Sequence, residues 1–148
     1  MFEKLSDGKR FVVTNSHPAP PGQDANYKRH MSYIASVLKY ELQKYKDLPF
    51  IMTGDFNTRE QSEYYTSFVS DTGVKDAKYE AETLVREYNT FSGFNKPPKE
   101  GNSSSLDHIF VNENATVQLF DVVIDHDVQK ASDHLQIYAD IIFNKAEK

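Results

Sequence analysis

Short apolar runs flank one long amphipathic stretch in the first third of the chain. Phe11, Val12, Val13 and Thr14 are strand-forming by residue type. The run ends at Asn15-Ser16-His17, and the following Pro18-Ala19-Pro20-Pro21-Gly22 cannot continue a sheet. From Tyr27 the apolar positions Met31, Ile34, Leu38, Leu42 and Tyr45 recur at three- and four-residue steps. They form the core stripe of a helix predicted over 25–45, with Asp24 as its cap. Asp47-Leu48-Pro49 ends that helix and introduces Phe50-Ile51-Met52-Thr53, a short buried strand. Gly54 lets the backbone turn there, so Asp55 and Asn57 are carried to the strand's end. Strand, helix, strand implies a parallel pair with a right-handed crossover, which places His17 and Asp55 at one edge of the sheet.

The second half is less regular. Residues 60–69 predict a short helix carrying Tyr64, Tyr65, Phe68 and Val69, closed by Thr72-Gly73. The charged stretch 75–87 has no clear period. Thr90-Phe91-Ser92-Gly93-Phe94 leads into a long polar loop from Asn95 to Ser105, read as exposed: a substrate-edge element or an insertion. Leu106 to Val111 is a strand with Asp107 in it, awkward for a buried strand unless the acid has a partner. Asn112-Glu113-Asn114 is a turn, 116–124 a strand, and Gln129-Lys130 another turn. The last strand runs from His134 to Phe143, alternating Leu135, Ile137, Ala139 and Ile141 with Gln136, Tyr138 and Asp140.

With 148 residues, one domain is the prior, and a chain of this length buries a core without disulfides. The absence of cysteine excludes a disulfide framework and a thiolate metal site, and is silent on compartment. No apolar run approaches the roughly 20 residues of a membrane span. No basic, apolar leader is visible either, so a soluble chain is expected and its location is left open. The net charge of −5, from 22 acids against 17 bases, is not that of a protein gripping polyanions by bulk electrostatics. A nucleic-acid substrate is therefore not favoured, though a bound metal can supply local positive charge.

The polar residues at strand ends change this picture. Asn15 with His17, Asp55 with Asn57, Asp107, and Asp133 with His134 each have an ordinary reading as turn or surface residues. Together they are the set that metal-assisted phosphoester hydrolysis requires. Carboxylates hold a hard divalent cation, Mg²⁺ or Mn²⁺. A carboxylate or imidazole aligns and deprotonates water, and an amide and an imidazole neutralise the phosphate oxygens as charge develops. A second acid behind a histidine fixes its tautomer, the part given to Asp107 toward His134.

In this arrangement the sequence resembles the endonuclease/exonuclease/phosphatase superfamily. The matching pieces, in the family's order, are Asn15-Ser16-His17, Gly54-Asp55-Phe56-Asn57, Thr90-Phe91, Leu106-Asp107-His108-Ile109-Phe110-Val111 and Ser132-Asp133-His134. The resemblance implies an α/β (α+β) fold of DNase I-like β-sandwich type, acting as a phosphoesterase, most naturally on phosphodiesters. It implies that Asp55 orients or deprotonates the attacking water and that Asn57 contacts the scissile phosphate. His134, paired with Asp107, would bind phosphate and move a proton. Asp133 would help hold the metal, His17 would stabilise developing charge, and Asn15 and Thr90 would support the substrate side.

The chain also departs from the family. Prolines follow His17 where the family often has Leu and a short polar segment, and no candidate for the metal-binding Glu stands on a strand before His17. The chain resembles the C-terminal half of the family domain, about half of its four layers: one mixed sheet with helices on one face. Such a half would leave an apolar sheet face uncovered. The expectation is that it pairs with a second copy or derives from a longer protein. The alternative to an enzyme is a catalytically silent fragment or binding module that keeps the fold without the missing ligand.

Overall fold

The computed structural model describes residues 1–22, 24–94, 96 and 105–144, without the side chains of Asp24 and Val128. The cap expected of Asp24 and most of the expected loop between Asn95 and Ser105 lie outside the described residues. The first sheet has the order β1-β2-β3-β6-β4: Phe2–Glu3, Arg10–Asn15, Phe50–Asp55, Asp107–Val111 and Lys75–Asp76. The second has the order β5-β7-β8: Thr83–Leu84, Ala115–Val123 and Gln136–Phe143. Among the described residues four helices pack with these sheets: α1 (Asp24–Lys44), α2 (Glu63–Thr72), α3 (Ala77–Glu80) and α4 (His126–Ala131).

The predicted strand–helix–strand unit is present. Strand β2 runs parallel to β3, with Val12 opposite Phe50 and Asn15 opposite Thr53. Alternation along β3 and β6 then builds two cores, because successive side chains in a strand point to opposite faces. Phe50, Met52 and Phe110 face α1 and α2, where Tyr27, Met31, Ala35, Leu38, Phe56, Tyr65 and Phe68 are buried. Ile51, Ile109 and Val111 face the second sheet and meet Val117, Phe120, Val122 and Leu135. Helix α2 is fixed at both ends. The Ser62 hydroxyl accepts from Tyr65 N–H at its start, and Gly73, at φ 72°, closes it with its N–H on the Val69 carbonyl.

The expectation of a single sheet is corrected: the described residues form two. The second sheet covers the face that was expected to lie open. The exposure moves to β8, whose outer edge has no paired strand among the described residues and whose inward side chains Ile137, Ala139, Ile141 and Phe143 are only part-buried. The stretch 75–87 resolves into β4, α3 and β5. It hides Lys78, a buried cation held by Glu60 and Glu87 at 2.8 Å each. The helix predicted from residue 60 starts at Glu63, behind the Ser62 cap, and Glu60 lies outside it in that pair. The Gln129-Lys130 turn belongs to α4, and the last strand begins at Gln136 rather than His134.

Gly54 is where the two parallel strands close together. Ser16 N–H donates to the Thr53 carbonyl at 3.0 Å, and a Cβ on Gly54 would lie 1.9 Å from the Ser16 carbonyl oxygen. That oxygen is backbone and cannot swing aside. Gly54→Ala is expected to lower unfolding free energy by at least about 2 kcal/mol. Gly22→Ala, with nothing within 4 Å of its new methyl, should stay within about 0.5 kcal/mol of the parent. Urea unfolding of the two variants checks this; equal responses would contradict the close approach.

Candidate active site

The site forms where β3 and β6 end side by side. Their antiparallel register sets Asp55 directly opposite Asp107. The chain leaves β3 through a tight turn. Asp55 Oδ1 accepts from Asn57 N–H at 2.7 Å, an Asx turn that Asn57 completes at φ 50°, a left-handed conformation asparagine tolerates. Below it Phe56 is fully buried, its N–H on the Leu106 carbonyl and its carbonyl on the Tyr27 hydroxyl. The proline segment after His17 supplies a further brace: Asn57 Nδ2 donates to the carbonyl of buried Pro18 at 3.0 Å. One N–H of that amide remains for an anionic oxygen.

His134 stands between the two acids. Its Nδ1 is 2.8 Å from Asp107 Oδ2, and its Nε2 is 3.7 Å from Asp55 Oδ2. His17 Nε2 lies 3.3 Å from the same Asp55 oxygen, with its own side chain 68% exposed. Burial, the largest influence on His134, disfavours its charge. The hydrogen bond and charge of Asp107, then the charges of Asp55 and Asp133, outweigh it and raise its pKa above the usual 6.5. Nδ1–H donates to Asp107, so Nε2 is the nitrogen left to act in the site.

Asp55, Asp107 and His134 each present a ligand atom within 4.8 Å of the others, a group that could hold a metal ion. Asp133, the expected metal ligand, is not in that group. Its main-chain carbonyl is bound by the N–H groups of Ser92 and Gly93, and its carboxylate acts on His134 as a nearby charge. Asn15 is tied sideways, its Nδ2 on Thr53 Oγ1 at 2.9 Å, and so clamps β2 to β3 beside the site. Thr90 was expected on the substrate side, but it is 0% exposed. Its hydroxyl accepts from the N–H groups of Leu106 and Asp107, and its carbonyl accepts from Leu135 N–H. It positions both halves of the Asp107–His134 pair from beneath.

The sequence reading gave no role to His108, which alternation sends to the opposite face of β6 from Asp107's pocket. It is 1% exposed, with Nδ1 at 2.9 Å from Asp76 Oδ2 and Nε2 at 3.2 Å from the Thr58 carbonyl. Both partners offer acceptor oxygens, so the surroundings favour a proton on each ring nitrogen. Burial opposes that charge most strongly, and Asp76 overcomes it to raise the pKa. Through Thr58 the pair fastens the segment just after Asn57. The signal in the sequence was a second histidine beside an acid in an apolar strand.

The two-sheet α/β architecture with this rim of acids and imidazoles is of the DNase I-like class. Residues 3–134 match the endonuclease/exonuclease/phosphatase family, and the chain belongs to it. Members of that family are hydrolases of phosphoester bonds. Among solved structures the chain is similar to a mannosyl-6-phosphatase from Bacteroides thetaiotaomicron VPI-5482. The TM-score is 0.79 at 28% identity, over 95% of this chain and 54% of that one. An endonuclease/exonuclease/phosphatase family protein from Bacteroides thetaiotaomicron gives 0.76 at 25% identity, over 96% and 54%. The human Nocturnin catalytic domain with bound sulfate shares the fold, with TM-score 0.64 and 22% identity over 96% and 50%. The chain thus spans about half the length of these structures. None of the curated proteins matches it by sequence. Among the described residues, no helix is long and apolar enough to cross a membrane.

A raised folded-state pKa at His134 stabilises the fold below the unfolded value of about 6.5, and that contribution is lost as pH rises through the folded value. Imidazole proton resonances followed against pH should place the His134 midpoint above 6.5. In Asp107→Asn, which removes the strongest favourable partner, the midpoint should fall. An unchanged midpoint in that variant would contradict the pairing.

Proposed function

We propose that this chain carries the hydrolytic centre of a divalent-metal-dependent phosphoesterase, in which water attacks phosphorus in line with the leaving alcohol. The observation that supports this reading is the convergence of Asp55, Asp107 and His134. An imidazole bound through Nδ1 to a carboxylate, with its pKa raised by that partner, is assigned here as a donor to phosphate rather than a ligand. That leaves two carboxylates, with water and substrate oxygens to complete the shell, a mixture suited to Mg²⁺ or Mn²⁺. Asp55 and Asp107 would hold the cation. When bound, it supplies Lewis-acid neutralisation of the phosphate oxygens.

Asp55 orients the attacking water and accepts its proton through the oxygen that faces His17 and His134. His134 donates from Nε2 to a phosphate oxygen, and Asp107 keeps it oriented and charged. Asn57 offers its remaining N–H to the same phosphate. Exposed His17 stabilises charge on the leaving oxygen. The family resemblance makes phosphodiesters the first substrate class to assay. Likeness to a mannosyl-6-phosphatase makes sugar phosphomonoesters a second substrate class to assay.

The test is hydrolysis of bis(p-nitrophenyl) phosphate and of a hexose 6-phosphate with Mg²⁺ or Mn²⁺, against a chelator control. Asp55→Ala and His134→Ala should each lower kcat by about 10²–10⁴-fold while the folded state persists by circular dichroism. Full activity in either variant would remove the assigned roles. A folded parent chain that binds neither cation would favour the catalytically silent alternative.

A further inference from the structure

Strand β2 is paired along only part of its outer edge. Strand β1 covers Arg10 and Phe11, opposite Glu3 and Phe2. Further along, the N–H groups of Val12 and Ser16 turn inward to the carbonyls of Pro49 and Thr53. Backbone groups alternate in direction along a strand, so those of Val13 and Asn15 point outward, with no strand beside them among the described residues. The open stretch Val12 to Asn15 holds none of the lysines or prolines that blunt an edge. Above it α1 leaves Tyr33, Val37 and Tyr40 71%, 43% and 66% exposed, one stripe at helical spacing. A groove of about 290 Å³ lies between stripe and edge, floored by Ile34, Leu38 and Met52. Thr14 lines it, and the Thr14 hydroxyl has no hydrogen-bond partner among the described residues.

We propose that this edge and stripe form a two-fold interface with a second copy of the chain. In the antiparallel register that pairs both outward-facing residues, Val13 bonds the partner's Asn15 and Asn15 the partner's Val13. Thr14 then falls on the two-fold axis, facing the partner's Thr14. Rotation about χ1 lets the two unpartnered hydroxyls bond each other, as cross-strand threonines do. The same axis brings the two α1 stripes together over the joined sheet. Neither the open stretch nor the three stripe residues carry charge, so no like charges meet there, and nearby Glu41 is paired with Lys44. Stripe and edge offer about 500 Å² per copy, or about 1,000 Å² in all, the least a specific interface needs. The threonine self-pair and the matched stripes favour a second copy over a foreign strand.

Sedimentation velocity over about 1–100 µM chain should show a monomer–dimer equilibrium. Val13→Pro removes an outward N–H that the single copy does not use, a place where an edge strand tolerates proline. Val37→Lys puts a charge into the stripe at a position already exposed, so folding does not depend on it. Each should raise the dimer dissociation constant about tenfold or more with circular dichroism unchanged. Because the chain has no cysteine, Thr14→Cys supplies one thiol on the axis, within disulfide reach of its copy. On oxidation it should cross-link at least about tenfold faster than Asp127→Cys, an exposed control on α4. A parent that stays monomeric over this range overturns the interface and leaves the edge to a strand of another protein. A dimer indifferent to Val37→Lys, or Thr14→Cys cross-linking no faster than the control, overturns it as well.

Discussion

Two carboxylates held face to face across adjacent strands are the constraint around which this chain is arranged. The register of β3 against β6 leaves Asp55 and Asp107 no choice but to oppose each other, a pairing that destabilises a sheet when nothing offsets it. The offset comes from imidazole. His134 reaches both acids and His17 reaches one. Each carboxylate favours the charged ring against the burial that disfavours it. A histidine whose pKa is raised between two acids is therefore the consequence of the strand register, and in the proposed function it is the donor to phosphate.

The scaffold serves that register. Alternation in β3 and β6 sends Phe50, Met52 and Phe110 to the helices and Ile51, Ile109 and Val111 to the second sheet, so neither strand can slip by one residue without inverting both cores. Gly54 admits the Ser16 backbone at the strand end, Phe56 plugs the turn from below, and Thr90 ties the starts of β6 and of the His134 segment to a single residue. Each of these residues acts on geometry alone. They explain how an acidic chain gathers anionic groups in one place and still folds.

Much of this was legible from residue pattern. The stripe from Tyr27 to Leu42 and the short run Phe50–Thr53 carry clean periods, and the parallel β2–β3 pair follows from their order. The Gly-Asp-Phe-Asn turn and the Ser-Asp-His segment pointed to the candidate site, because both put polar residues at strand ends. What was not legible depended on partners distant in sequence. Lys78 sits in the charged stretch 75–87, which shows no clear period, and its burial depends on Glu60 and Glu87 closing on it. Elements β4 and β5 are two residues each, too short to show a period. Thr90 and Asp133 were placed near the site by sequence, the first on the substrate side and the second as a metal ligand. Hydrogen bonding turned the first beneath the floor and left the second at the rim. The second sheet was missed because resemblance to half a domain suggested one layer of strands where the chain supplies parts of two.

The central claim is that the opposed acids exist to hold a cation beside His134. The direct measurement is anomalous diffraction from crystals grown with Mn²⁺, with the Asp107→Asn variant treated identically. The account predicts one strong manganese peak bonded to oxygens of both Asp55 and Asp107, weakened or lost in the variant. Manganese bound at Asp133 without either acid, or no ordered manganese at this rim, would contradict it.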